Sequence, residues 1–72
     1  MVGHTGLMSQ HSARAELSSI ATSLDELSSR VGTTAESLDR EPTEAAAASL
    51  FEVERALRTA ARSLARALRD LA

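Results

Sequence analysis

The chain has 72 residues and a formal net charge of −2, and 43% of its residues are apolar, with alanine the most frequent at 14. This length limits the chain to one small domain, and the excess of alanine leaves few bulky side chains for a core. The absence of cysteine excludes disulfides, thiolate zinc sites and cysteine nucleophiles. With one phenylalanine and no tryptophan or tyrosine, the chain lacks the stacking surfaces of most single-strand nucleic-acid binders and the usual lining of a ligand pocket.

All eight basic residues are arginine. A chain rich in alanine and free of lysine is typical of a GC-rich genome, which indicates a bacterial source. The longest apolar run, residues 45–48, is far shorter than the roughly 20 residues of a membrane span. The first six residues lack the basic and apolar regions of a signal peptide. We therefore expect a cytoplasmic protein that does not enter a membrane.

The first predicted element is a flexible arm over residues 1–10, which carries two of the three glycines and no apolar periodicity. A helix is then predicted over about residues 11–40, because apolar residues recur at alternating steps of three and four. These steps define the a and d positions of a heptad repeat. The positions are Leu17, Ile20, Leu24, Leu27, Val31, Thr34 and Leu38.

Gly32 and the capping-box pattern that begins at Thr33 leave open a break in this helix. We expect the helix to continue instead, because Leu38 stays in register with the preceding apolar positions. On this interpretation Gly32 points away from the apolar positions, where no side chain is needed.

The one proline, Pro42, predicts a turn over about residues 40–43, since proline lacks an amide proton and restrains the residue before it. A second helix is predicted over about residues 43–71, with acidic residues first and arginines later, as the helix dipole favours. Its heptad positions are Leu50, Val53, Leu57, Ala60, Leu64, Ala67 and Leu71. Two equal helices around one break predict an all-α fold, a coiled-coil-like antiparallel two-helix hairpin.

A two-helix hairpin covers only half of each apolar stripe, and its core is too small to offset the entropy of ordering the chain. We therefore expect two copies to form a homodimeric four-helix bundle, with a different protein as the alternative partner. The predicted oligomer core is Leu17, Ile20, Leu24, Leu27, Val31, Leu38, Leu50, Val53, Leu57, Leu64, Leu68 and Leu71. The layout resembles the Rop family of hairpins that dimerise into four-helix bundles. No motif of that family occurs here, so its RNA binding is not implied.

Five arginines of the second helix are spaced by three and four residues, which places them within an arc of about 80° opposite the leucines. We call these residues the arginine stripe: Arg55, Arg58, Arg62, Arg66 and Arg69. Glu52, Glu54 and Asp70 are spaced to pair with Arg55, Arg58 and Arg66. The alternatives are a solvated face and a site for an acidic protein surface, a nucleotide or a nucleic acid.

Phe51 is predicted to project with the arginine stripe, because it follows Leu50 by one residue. Two interpretations stand side by side. Phe51 anchors a partner beside the arginines, or it folds over the turn or the N-terminal arm or packs in the dimer.

No catalytic, cofactor or metal site is predicted. His4 and His11 lie in or beside the predicted arm, without a second pair of ligands. The ten serines have no nearby base, and the three glycines form no phosphate loop. We expect a non-catalytic interaction or regulatory module that self-associates and binds another protein through Phe51 and the arginine stripe. Binding of a nucleic acid or nucleotide along the stripe is the alternative function.

Overall fold

The computed structural model describes residues 9–71, which form two helices that pack against each other as an antiparallel hairpin. Helix α1 spans Gln10–Leu38 and helix α2 spans Glu44–Asp70. The predicted all-α hairpin is confirmed. Helix α1 ends two residues before its predicted end, and Gln10 belongs to the helix instead of the arm. Ser9 precedes the helix as its N-cap, and residues 1–8 of the predicted arm, including His4, lie outside the described residues.

At the end of the hairpin opposite the turn, side chains at the start of α1 make hydrogen bonds to the ends of both helices. Ser9 caps α1, because its hydroxyl accepts a hydrogen bond from the Ser12 amide at 3.0 Å. The Arg14 guanidinium then donates to the Leu68 carbonyl at 2.9 Å, across 54 residues of sequence. The Leu68 carbonyl also accepts from the Leu71 amide at 3.2 Å, so the guanidinium is a second, charged donor to this carbonyl and complements the negative end of α2.

The turn at the other end is tied together by Thr43. Its hydroxyl lies 2.7 Å from the Leu38 carbonyl and 3.0 Å from the Arg40 carbonyl, and its amide donates to the Arg40 carbonyl at 2.8 Å. The Glu41–Pro42 peptide bond within the turn is cis. The Leu38 carbonyl at the end of α1 also accepts from the Arg40 amide at 2.7 Å, and the hydrogen bonds of Thr43 connect this carbonyl and the turn to the start of α2.

The helices face each other along a stripe that differs from the predicted one. Leu17, Leu24, Val31 and Leu38 are partly buried as predicted, but the other inward positions of α1 lie one residue beyond the predicted d positions. Small residues occupy them: Ala21, Ser28 and Ala35 are at least partly buried, while Ile20, Leu27 and Thr34 are exposed. Helix α2 shows the same shift, since Ala47, Glu54 and Ala61 turn inward and Val53 and Ala60 are exposed. The hairpin therefore packs through its small residues and leaves part of its bulky apolar side chains outside.

Helix α1 is continuous through Gly32, as expected, but the predicted orientation of this glycine is wrong. Gly32 is buried, and a Cβ atom at this position would lie 2.6 Å from Oε2 of Glu54 on α2. Glu54 is not one of the predicted heptad positions, yet its side chain is only 21% exposed and uses the space that the missing side chain of Gly32 leaves. Gly32 thus serves close helix packing, which offsets its cost of about 1 kcal/mol relative to alanine within a helix.

Ser28 lies in the middle of the packed face with 4% of its surface exposed, and its hydroxyl has no hydrogen-bond partner. An unpaired buried hydroxyl costs about 1–3 kcal/mol. Because alanine keeps the small volume and removes this cost, we expect Ser28→Ala to raise the free energy of unfolding by about 1.5 kcal/mol, of which helix propensity supplies about 0.5.

Ser29→Ala is the matched control, because Ser29 is exposed on the same turn and gains helix propensity alone. Urea unfolding followed by circular dichroism measures both variants. Equal gains for Ser28→Ala and Ser29→Ala would show that the buried hydroxyl costs nothing.

Candidate interaction surfaces

One side of the hairpin exposes three bulky apolar side chains. Ile20, Leu27 and Val53 are 40%, 43% and 44% exposed. A shallow groove joins the two helices on this side, and its walls are Leu27, Arg30, Val31 and Thr34 of α1 and Leu50 of α2. At 100° per residue Val53 lies on the same side of α2 as this groove. We call this surface the apolar face. Its members are Ile20, Leu24, Leu27, Val31, Leu50, Val53 and Leu57.

The interior of the hairpin is correspondingly small. Within residues 9–71, the buried apolar side chains are Ala35 and Ala47, and no bulky side chain is fully buried. The leucines of both helices are only partly covered. Two helices in one layer therefore leave the larger apolar side chains in contact with water. An additional helical layer would cover these side chains.

The second surface is the arginine stripe, which lies along the other flank of α2. Glu54 and Arg58 form an ion pair at 2.7 Å, as their spacing predicts. The predicted pairs of Glu52 with Arg55 and Asp70 with Arg66 do not form. Arg66 donates to the Ser63 hydroxyl and Arg62 to the Thr59 hydroxyl, both at 3.1 Å. In the described part of the chain, the Glu54–Arg58 pair is the single salt bridge, so most of the stripe keeps its charge exposed.

Helix α1 also lacks the ion pairs that its sequence predicts. Glu26 and Arg30 are four residues apart but form no salt bridge within residues 9–71. Glu36 and Arg40 have the same spacing, and they fail to pair because α1 ends at Leu38, before Arg40. Ion pairs of this kind on a helix surface stabilise by a few tenths of a kcal/mol, so their absence changes little in the fold.

Phe51 is half-buried on the flank of α2 that carries Glu54 and Arg58. Part of its side chain therefore remains accessible to solvent. The role of Phe51 as a partner contact remains a prediction.

The structure adds little to other kinds of site. Among residues 9–71 no group of three acidic or histidine side chains is arranged to hold a metal ion. Neither helix contains an apolar stretch of the length and hydropathy that crossing a membrane requires, over the same residues. The comparisons find no family model, curated protein or solved structure that matches this chain.

Proposed function

We propose that this chain is a non-catalytic interaction module that pairs with a second copy through the apolar face and binds another protein through the arginine stripe. The observation that carries the first part is the 40–44% exposure of Ile20, Leu27 and Val53. A bulky side chain gains about 1.5–3 kcal/mol when fully buried, so covering these three contributes about 1 kcal/mol each in each copy. The half-buried leucines beside them add to this gain.

The proposed pairing also accounts for the small residues between the helices. Alanine, serine and glycine bring α1 and α2 close together, and this turns the larger side chains to one side. A hairpin with its bulky apolar groups on one side is suited to stacking face to face with a second layer.

The second part of the proposal rests on the arginine stripe. Guanidinium groups that donate to neutral hydroxyls keep their charge available, and each presents a fork of donors that matches a carboxylate. The half-buried Phe51 supplies an apolar contact at the same flank, and aromatic residues beside arginine are frequent in the centres of protein interfaces. An acidic protein surface is the partner that this combination fits.

A nucleic acid or nucleotide is a second candidate partner, favoured by the same lack of carboxylate partners for Arg62 and Arg66. Binding of this kind is governed by counterion release and falls steeply as salt rises. The net charge of −2 weakens the attraction at long range.

Sedimentation equilibrium of the full chain tests the self-association. We expect a mass of twice the 7.6 kDa of one chain at micromolar concentration. A mass of one chain throughout this range would contradict the proposal.

Fluorescence anisotropy with labelled single-stranded RNA and DNA tests the alternative partner at low salt. We expect no binding. Binding that weakens steeply with salt, and that Arg62→Glu abolishes, would assign the stripe to nucleic acid instead of protein.

A further inference from the structure

The charges of the hairpin are divided between its two ends. The Arg14–Leu68 hydrogen bond fixes the level at which the antiparallel helices pair, and on this register residues 26 and 27 lie at the levels of residues 56 and 55. The turn half, residues 27–54, contains six acidic residues and two arginines, so its net charge is −4. The open half, residues 9–26 and 55–71, contains four acidic residues and six arginines, so its net charge is +2.

Two symmetric arrangements place one apolar face on another. If the twofold axis runs along the helices, both turns lie at the same end, and each α1 packs on the partner's α2. If the axis runs across the helices, the turns lie at opposite ends, and each helix packs on its own counterpart. Both arrangements keep neighbouring helices antiparallel and bury the same apolar side chains, so the hydrophobic effect alone does not select between them.

We infer that two copies pair with their turns at opposite ends, an inference that rests on the proposed self-association. In this arrangement the turn half of each copy, at −4, lies beside the open half of the other, at +2. The same-end arrangement brings two halves of −4 together. Neighbouring helices in a bundle are about 8–10 Å apart, which is comparable to the Debye length of about 8 Å at physiological salt and well within that of about 30 Å at 0.01 M salt. The charges therefore attract in one arrangement and repel in the other.

A distance measurement between spin labels tests the arrangement directly. The chain has no cysteine, so Glu41→Cys introduces a single labelling site at the turn. The change also removes one acidic residue of the turn half, so it does not favour the expected result. With turns at opposite ends the two labels are separated by about the length of α1, roughly 40 Å for 29 residues. With turns at the same end the separation is on the order of 15–25 Å.

Glu26→Cys is the control label, because this exposed residue lies near the middle of α1. It gives an intermolecular distance below roughly 35 Å in either arrangement, and so shows that the pair has formed. A short Glu41→Cys distance would overturn the opposite-end arrangement while the self-association stands. No intermolecular distance from either label would overturn the self-association itself.

Removing acidic residues gives a second test, because the resulting change in the strength of association has opposite signs in the two arrangements. We expect Glu36→Gln with Glu52→Gln, both exposed in the turn half, to weaken the association about threefold at low salt. We expect Glu16→Gln with Glu26→Gln, both exposed in the open half, to strengthen it by a similar factor. The reverse pattern would support the same-end arrangement, and equal effects of the two pairs would show that charge does not select it.

Discussion

Replacing Ala47 by leucine is expected to lower the free energy of unfolding by about 2–3 kcal/mol. Ala47 is completely buried near the start of α2, and on the register set by Arg14 and Leu68 it lies at the level of Ala35, which is also completely buried. The helices therefore approach closely at this point, with no space for three more carbon atoms. Leucine forces them apart or displaces their side chains from preferred rotamers.

Ala48→Leu is the matched control, since Ala48 is the next residue of the same helix and is exposed. Its cost should stay within about 0.5 kcal/mol, because leucine and alanine are both strong helix formers and no neighbour is displaced. Urea unfolding followed by circular dichroism compares the two variants. Equal losses for Ala47→Leu and Ala48→Leu would contradict the close approach of the helices at Ala47.

The overall fold follows from features that are strong in the sequence. Two heptad patterns of equal length around Pro42 predict a helical hairpin, because proline ends one helix and the matching lengths let the second fold back. The side of each helix that faces the other was harder to predict. Two stripes are compatible with the heptad pattern: one contains the d positions, and the other contains the positions one residue after d. Leu24 and Leu57 belong to both stripes. The heptad pattern therefore fits both orientations.

The choice between these orientations depends on packing distance. Ala21, Ser28 and Ala35 form a column of small residues seven apart, and this column allows the backbones to approach closely. A heptad assignment based on bulky apolar residues does not detect such a column, and it also places Gly32 on the outer face of the helix. The spacing of small residues was the signal in the sequence that identifies the inward side.

The positions of the arginine stripe on α2 could be predicted from the sequence, but the groups to which each arginine donates could not. Spacing places a carboxylate three or four residues from Arg55, Arg58 and Arg66, and Arg58 pairs with its carboxylate. Arg66 instead donates to a hydroxyl three residues earlier, and so does Arg62, which has no carboxylate at either spacing. At an exposed position these alternatives differ by only a few tenths of a kcal/mol, so sequence spacing does not decide between them.

The proposed self-association through the apolar face is tested by the variant Leu27→Glu. Leu27 is 43% exposed at the centre of this face, and a second copy would cover it. A carboxylate there loses the apolar contact and must be desolvated in each of the two copies. We therefore expect the dissociation constant to rise by about a hundredfold or more, since each 1.4 kcal/mol is a factor of ten.

Thr33→Glu is the control, because it adds the same charge at an exposed position of the same helix, outside the apolar face and likewise three residues from Arg30. Sedimentation equilibrium of the two variants beside the unchanged chain measures the association. We expect a dimer for the unchanged chain and for Thr33→Glu, and single chains for Leu27→Glu at the same concentration. A Leu27→Glu variant that associates as tightly as Thr33→Glu would contradict the proposed self-association through the apolar face.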